Sequence, residues 1–185
     1  METILYIETD RGSGTGFVFH PNGYAVTCAH VVKDATEIYA RVGVKENAIE
    51  KAKIISYNAE LDLAIIQVEG RGHISAVLDI SGRLYLGDEI SILGYPFGSK
   101  VADNVMRMSV SYTRGYISSI QTRKGQKCAL LDISAKAGNS GSPVINCRSG
   151  KVVGVLSGSI LGGVNNREEV NYMIPITSLL EMMED

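Results

Sequence analysis

Three residues of this chain have the types and neighbourhoods for nucleophilic catalysis. Ser140 lies in Gly138-Asn139-Ser140-Gly141-Ser142-Pro143, His30 closes Thr27-Cys28-Ala29-His30 after an apolar segment, and Asp62 stands in Leu61-Asp62-Leu63-Ala64-Ile65-Ile66. A serine hydroxyl attacks poorly until a base takes its proton, and an imidazole is a competent base once a third group fixes its tautomer. A carboxylate flanked by Leu, Ala and Ile is expected at the buried end of a strand, where its charge is costly unless paired. An imidazole N–H donated to Asp62 removes that cost. Taken singly, Asp62 reads equally well as a strand-edge carboxylate facing solvent, and Gly138 to Gly141 as a surface turn; the conjunction of the three motifs decides. Gly138 also lets the backbone turn so that the amides of Gly138, Asn139 and Ser140, chiefly the first and third, can face one developing oxyanion. His30, Asp62 and Ser140 are therefore the catalytic candidates, and Gly138, Asn139 and Ser140 the oxyanion candidates.

Other candidates carry less. His20 beside Pro21 and His73 after Arg71-Gly72 read as solvated loop residues. Gly12-Ser13-Gly14-Thr15-Gly16-Phe17 has Phe17 where a dinucleotide loop needs its third glycine, and reads instead as a loop entering a tight barrel strand. A metal held by His30, Asp62 and a cysteine can be drawn, but no local His or Cys pair has ligand spacing, so no metal and no cofactor is expected. Cys28 reads as a small buried apolar residue.

The elements that must position these side chains are short. Runs rich in Val, Ile and Tyr, such as Tyr24 to Thr27, Ile38 to Val42, Ala64 to Val68, Glu89 to Leu93 and Val152 to Ser157, alternate with Gly, Asn and Asp. That texture indicates an all-β sandwich or barrel. Pro21-Asn22-Gly23 is a hairpin turn, and only Pro175 to Met183 has helical spacing. The polar interval Asp79 to Arg83 divides the strands into two sets. The reading is one domain over 1–185: a first barrel over about 1–78 carrying His30 and Asp62, a second over about 84–174 carrying Ser140, and a helix over 175–184, with the active site between the barrels.

At 185 residues, 45% hydrophobic, the chain can bury a core without staples. A net charge of −2 without a basic block excludes a nucleic-acid or anionic-membrane footprint. Three widely spaced cysteines form neither a disulfide framework nor a zinc pattern, and the first ten residues lack a secretory leader. No apolar run reaches the roughly 20 residues of a spanning helix. A cytoplasmic protein is the resulting expectation.

The order His, Asp, Ser separates this chain from α/β-hydrolases and subtilisins, whose triads run in other orders. With Gly23-Tyr24-Ala25-Val26-Thr27, Ala29-His30-Val31-Val32, Asp62-Leu63-Ala64, Gly94-Tyr95-Pro96-Phe97-Gly98, Gly115-Tyr116-Ile117-Ser118-Ser119, Gly138-Asn139-Ser140-Gly141 and Ile174-Pro175-Ile176 in sequence, the chain resembles the trypsin-like (chymotrypsin-fold) serine peptidases. It is most similar to the HtrA/Deg protease domain, without the PDZ module and with Ser142 where the pattern continues Gly-Gly. The resemblance implies two Greek-key six-stranded barrels and a serine endopeptidase acting on protein or peptide. His30 is then the base, Asp62 its orienter and Ser140 the nucleophile. It also implies a primary pocket with Ser134 at its base, Ile133 and Ala135 adding apolar surface, and Ser157, Gly158 and Ser159 as its wall, with the Ser157 hydroxyl placed to support Asp62. Cleavage after small or medium aliphatic residues is expected. Two alternatives stay open: a protease-fold binding module held inactive until a regulatory protein acts in trans, and a viral-type processing protease with one sharp cleavage site. Oligomeric state is not readable.

Overall fold

The computed structural model describes residues 2–42, 49–70, 72–98, 109–123, 125–162 and 168–184. Glycine, alternating apolar residues and tight turns build strands along most of that length. β1 (Ile4–Thr9), β2 (Gly12–Val18), β3 (Tyr24–Thr27), β4 (Ile38–Val42), β5 (Ile49–Asn58) and β6 (Leu63–Val68) close a barrel in the order β1-β2-β3-β6-β5-β4. β7 (Glu89–Gly94), β8 (Ser111–Arg123), β9 (Gln126–Asp132), β10 (Pro143–Asn146), β11 (Val152–Gly162) and β12 (Glu168–Pro175) close a second in the order β10-β11-β12-β9-β8-β7. Every pairing within the barrels is antiparallel, and in each barrel a long return connection places a strand out of sequence, as Greek keys do. The helices are α1 (Ala29–Val32), one turn long, and α2 (Ile176–Glu184). Two closed six-stranded barrels and a short C-terminal helix are the all-β architecture expected from the sequence.

Three local expectations change. β1 was not legible as a strand: Ile4, Leu5, Tyr6 and Ile7 are all buried, so no polar alternation marks it. Gly12 to Phe17 is no loop; it forms most of β2 itself. Gly16 sits where a Cβ would press on Ile7 and the Val26 carbonyl, so glycine here answers to closeness of neighbouring strands. His73 is not solvated, since its side chain is 6% exposed and its Nε2 lies 3.0 Å from the Glu69 carbonyl oxygen.

Each barrel has an apolar core. Ile7, Phe17, Val26, Leu63 and Ile66 fill the first, and Ile90, Ile92, Ile117, Leu131, Leu156 and Met173 the second. Burying a side chain of this size contributes about 1.5–3 kcal/mol. The first cluster does not stop at its barrel: Tyr95, Val152, Val155 and Ile174 join it, as do Ile176, Leu179 and Met182 of α2. The connecting segment is tied down too, because Asp79 N–H donates to the Val152 carbonyl and Val152 N–H to that of Val77. The two barrels thus share one apolar seam, and the segments carrying His30, Asp62 and Ser140 emerge along it.

Candidate active site

Asp62 stands one residue before β6, with φ at +55°, a left-handed state that aspartate tolerates better than most residues. The turn preceding it is set by Asn58, whose Oδ1 accepts the Glu60 and Leu61 amides at 3.0 and 2.9 Å. The Asp62 carbonyl accepts the Ala29 N–H, which starts α1 beside it. His30 then presents two donors to one carboxylate. Its backbone N–H lies 3.0 Å from Asp62 Oδ1, and its ring Nδ1 lies 3.0 and 2.9 Å from Oδ1 and Oδ2. An acceptor-only carboxylate there places the ring proton on Nδ1 and leaves Nε2 its lone pair.

Ser157, buried on β11, donates to Asp62 Oδ2 at 2.5 Å. Its Oγ also lies 2.9 Å from the Tyr172 hydroxyl, and since the one Ser157 proton is engaged by the carboxylate, Tyr172 is the donor in that second bond. Burial acts to raise the Asp62 carboxyl, but hydrogen bonds from His30 and Ser157 outweigh it and hold the group below its ordinary value. Tyr172 carries Arg123 over its ring at 5.0 Å, so a chain of contacts runs from the β8 tip to the carboxylate.

Ser140 reaches this corner from the second barrel. Its carbonyl accepts the Thr15 N–H at 2.9 Å, and Thr15 Oγ1 donates to the Gly138 carbonyl at 2.7 Å while accepting from Tyr95 N–H at 3.1 Å. A Cβ on Gly14 would crowd the Val31 methyls and the Ser140 carbonyl together, so α1 and the Ser140 loop close on β2 at this glycine. Among the described residues Ser140 Oγ has no hydrogen bond, a common state for a nucleophile without substrate.

Lys136 to Asn139 form a turn closed by Asn139 N–H to the Lys136 carbonyl at 3.0 Å, with Gly138 at φ +95°. A positive φ at the third position of such a turn is a glycine requirement. The Ala137 carbonyl accepts Phe97 N–H at 2.5 Å. Because N–H and C=O of a trans peptide point oppositely, the Gly138 N–H is aimed away from Phe97. Neither the Gly138 nor the Ser140 amide has an acceptor among the described residues, whereas the Asn139 amide is engaged within the turn. Of the three oxyanion candidates, two present open donors. Ser142, the departure from the family pattern, is fully buried against Gly94, and its hydroxyl has no partner among the described residues.

A cleft of about 150 Å³ opens beside Ser140, lined by Ala135, Lys136, Ala137, Leu156, Gly158 and Asn171. Of the pocket residues read from the sequence, Ala135 and Gly158 line it. Ile133 belongs to the barrel core, Ser134 is exposed, Ser157 turns to Asp62, and the Ser159 side chain lies outside the described residues. Sequence reasoning missed Asn171, a buried residue whose Nδ2 donates to the Ile133 carbonyl at 2.8 Å. An asparagine in a strand of otherwise apolar spacing was the available signal. The grouping of His30, Asp62 and a cysteine, set aside from the sequence for want of ligand spacing, does come together with Cys28: one ligand atom from each lies within 4.8 Å of the others. Burial, and then the Asp62 charge, push the Cys28 thiol well above its ordinary value.

The model of the trypsin-like peptidase domain matches residues 14–155. The chain belongs to the trypsin-like peptidases. Among curated relatives of this trypsin-like chain, a probable periplasmic serine endoprotease DegP-like of Ectopseudomonas mendocina is 30% identical over 92% of the chain and 34% of its own length. The chloroplastic protease Do-like 1 of Arabidopsis thaliana is 28% identical over 96% of the chain and 40% of its own length. The chain thus spans about a third of the length of such relatives. A serine endoprotease from Yersinia pestis has the same fold, with a TM-score of 0.81 at 22% identity, covering 99% of this chain and 62% of that one.

These relatives overturn the cytoplasmic expectation, for several are named periplasmic. That expectation rested on a leader not seen and on unpaired cysteines. Cys28 and Cys128 are buried as free thiols, which shields them from oxidants in any compartment, so they do not report on redox setting. Among the described residues no helix is long and apolar enough to cross a membrane.

Proposed function

We propose that this trypsin-like domain is a serine endopeptidase that cleaves protein or peptide substrates through an acyl-enzyme. The observation that carries the reading is the His30–Asp62 pair, closed by two ring contacts of 3.0 and 2.9 Å, within one corner of the molecule with the Ser140 loop. His30 Nε2 takes the Ser140 proton as Oγ attacks the carbonyl carbon, and the imidazolium is stabilised by Asp62 without proton transfer to it. The Gly138 and Ser140 amides receive the oxyanion. His30 then protonates the leaving amine, and a water, deprotonated by the same nitrogen, releases the acid and restores Ser140.

The small cleft walled by Ala135, Leu156 and Gly158, with no acidic residue lining it among the described residues, supports cleavage after small or medium aliphatic residues. A periplasmic setting follows the names of the relatives.

A fluorophosphonate probe tests the hydrolase reading, with labelling confined to Ser140 and absent in Ser140→Ala. Silence of the folded wild-type protein would instead favour a protease-fold module that does no chemistry alone.

A further inference from the structure

Cys28 has no part in the chemistry proposed above, yet its sulfur lies beneath the acid–base pair. Its Sγ donates to the Leu156 carbonyl at 3.2 Å, and that carbonyl already accepts the Gly141 N–H at 2.7 Å. Losing the thiol proton would therefore leave the Leu156 carbonyl still paired, and take from the Ser157 carbonyl only a long contact of 3.7 Å. Sγ of Cys28, a ring nitrogen of His30 and a carboxylate oxygen of Asp62 lie within 4.8 Å of one another. A sulfur, an imidazole nitrogen and a carboxylate oxygen are the three donor types zinc takes in proteins.

We propose that Cys28, His30 and Asp62 form an inhibitory site for a borderline-soft divalent cation, Zn²⁺ foremost. Burial makes charge balance the deciding quantity: one dication against a thiolate, a carboxylate and a neutral imidazole sums to zero, so no net charge is left in the low-dielectric corner. Access is by way of His30, half exposed where Asp62 is 22% exposed and Cys28 fully buried. The ring swings aside and returns onto the ion.

The proton accounting explains inhibition. The thiol loses its proton to solvent as the S–Zn bond forms. Nδ1 exchanges its hydrogen bond to Asp62 for a bond to the metal, its proton passing through solvent to Nε2. An imidazole held by metal at Nδ1 carries hydrogen on Nε2 and can no longer accept the Ser140 proton. The same atoms that make His30 a base in the free protein disable it in the metal-bound one. Catalysis takes no benefit from the ion; it is a switch.

The inference concerns the same corner as the peptidase reading, and the experiment separates them by two readouts on the purified chain. Co²⁺ added as a spectroscopic stand-in is expected to give a thiolate-to-cobalt charge-transfer band in the wild type and in Ser140→Ala, and none in Cys28→Ser. Zn²⁺ is expected to block fluorophosphonate labelling of Ser140, with recovery on adding a chelator. Loss of an outer partner alone weakens metal sites about 10–100-fold, so Cys28→Ser should require at least about a hundredfold more Zn²⁺ for the same block. A cobalt spectrum without thiolate character, or equal Zn²⁺ sensitivity in Cys28→Ser, would overturn the site. A thiolate band in a protein that never labels would uphold the metal site and sink the hydrolase reading.

Discussion

The two barrels serve the same corner in different ways. In the first, His30 and Asp62 are fixed at short range: the Asn58 turn, the Asp62 carbonyl to Ala29, and a carboxylate taking both the backbone and ring donors of His30. In the second, the Ser140 loop owes its shape to neighbours far away in sequence, above all Thr15 on β2, which grips both the Ser140 and Gly138 carbonyls through N–H and Oγ1. The reverse loan to the carboxylate is Ser157, sent from β11 to Asp62. The acid–base half is thus built largely by its own barrel and the nucleophile half is shaped across the seam, so damage to β2 should reach Ser140 while sparing the imidazole–carboxylate pair.

The largest expected effect tests whether the halves work as a unit. Ser140→Ala and His30→Ala should each lower turnover by roughly 10⁴-fold, with little added loss in the double variant. Additive losses in steady-state kinetics would show that the halves contribute separately.

Thr15→Val addresses the asymmetry directly, removing Oγ1 but keeping the backbone bonds. It should lower kcat by about 10²-fold, near the cost of one lost oxyanion donor, while the His30 ring proton resonance in NMR stays in place. A shifted His30 resonance would mean that the first barrel is not self-contained. In the reverse direction, Ser157→Ala removes one donor to Asp62 and should lower kcat roughly tenfold, given about 1.5–3 kcal/mol for a hydrogen bond to a charged group, part of which water restores.

Met182→Ala probes the shared apolar seam instead of the chemistry. Truncating this buried α2 residue should cost about 2–5 kcal/mol in denaturant unfolding and leave kcat nearly unchanged.

The smallest effect is in acid. The Asp62 carboxyl is held below its ordinary value of 3.8, so its stabilising contribution is complete above that pH and disappears as pH falls through the lowered folded-state value. Asp62→Asn should therefore show a shallower loss of stability than wild type below about pH 3.8 in pH-dependent thermal unfolding. Parallel curves would remove Asp62 from the acid limb.

Much of this was legible in sequence where the signal is local. Tyr24 to Thr27 and Ala64 to Val68 declare themselves as strands by composition, and Asp62 inside an apolar run announces a carboxylate needing a partner. β1 was hidden because its residues are buried on both faces, and β2 because glycine chosen for close packing looks like glycine chosen for a turn. The cleft was read poorly: Ser134 was placed by resemblance, whereas it lies exposed just beyond the end of β9, and Asn171 of β12 lines the cleft instead. The compartment was inferred from what the sequence did not contain, which is no signal.

The sequence alone determined the strand-rich texture, the order of the three reactive residues and the glycine that shapes the Ser140 turn, because each depends on residues within a few positions of one another. Closure of the barrels decided the rest. Thr15 meets Gly138 across 123 positions, Ser157 meets Asp62 across 95, and Cys28 comes to lie under both members of the acid–base pair. Contacts of that span leave no periodicity in the chain, since they exist only once two sheets have curled and packed along a common apolar seam.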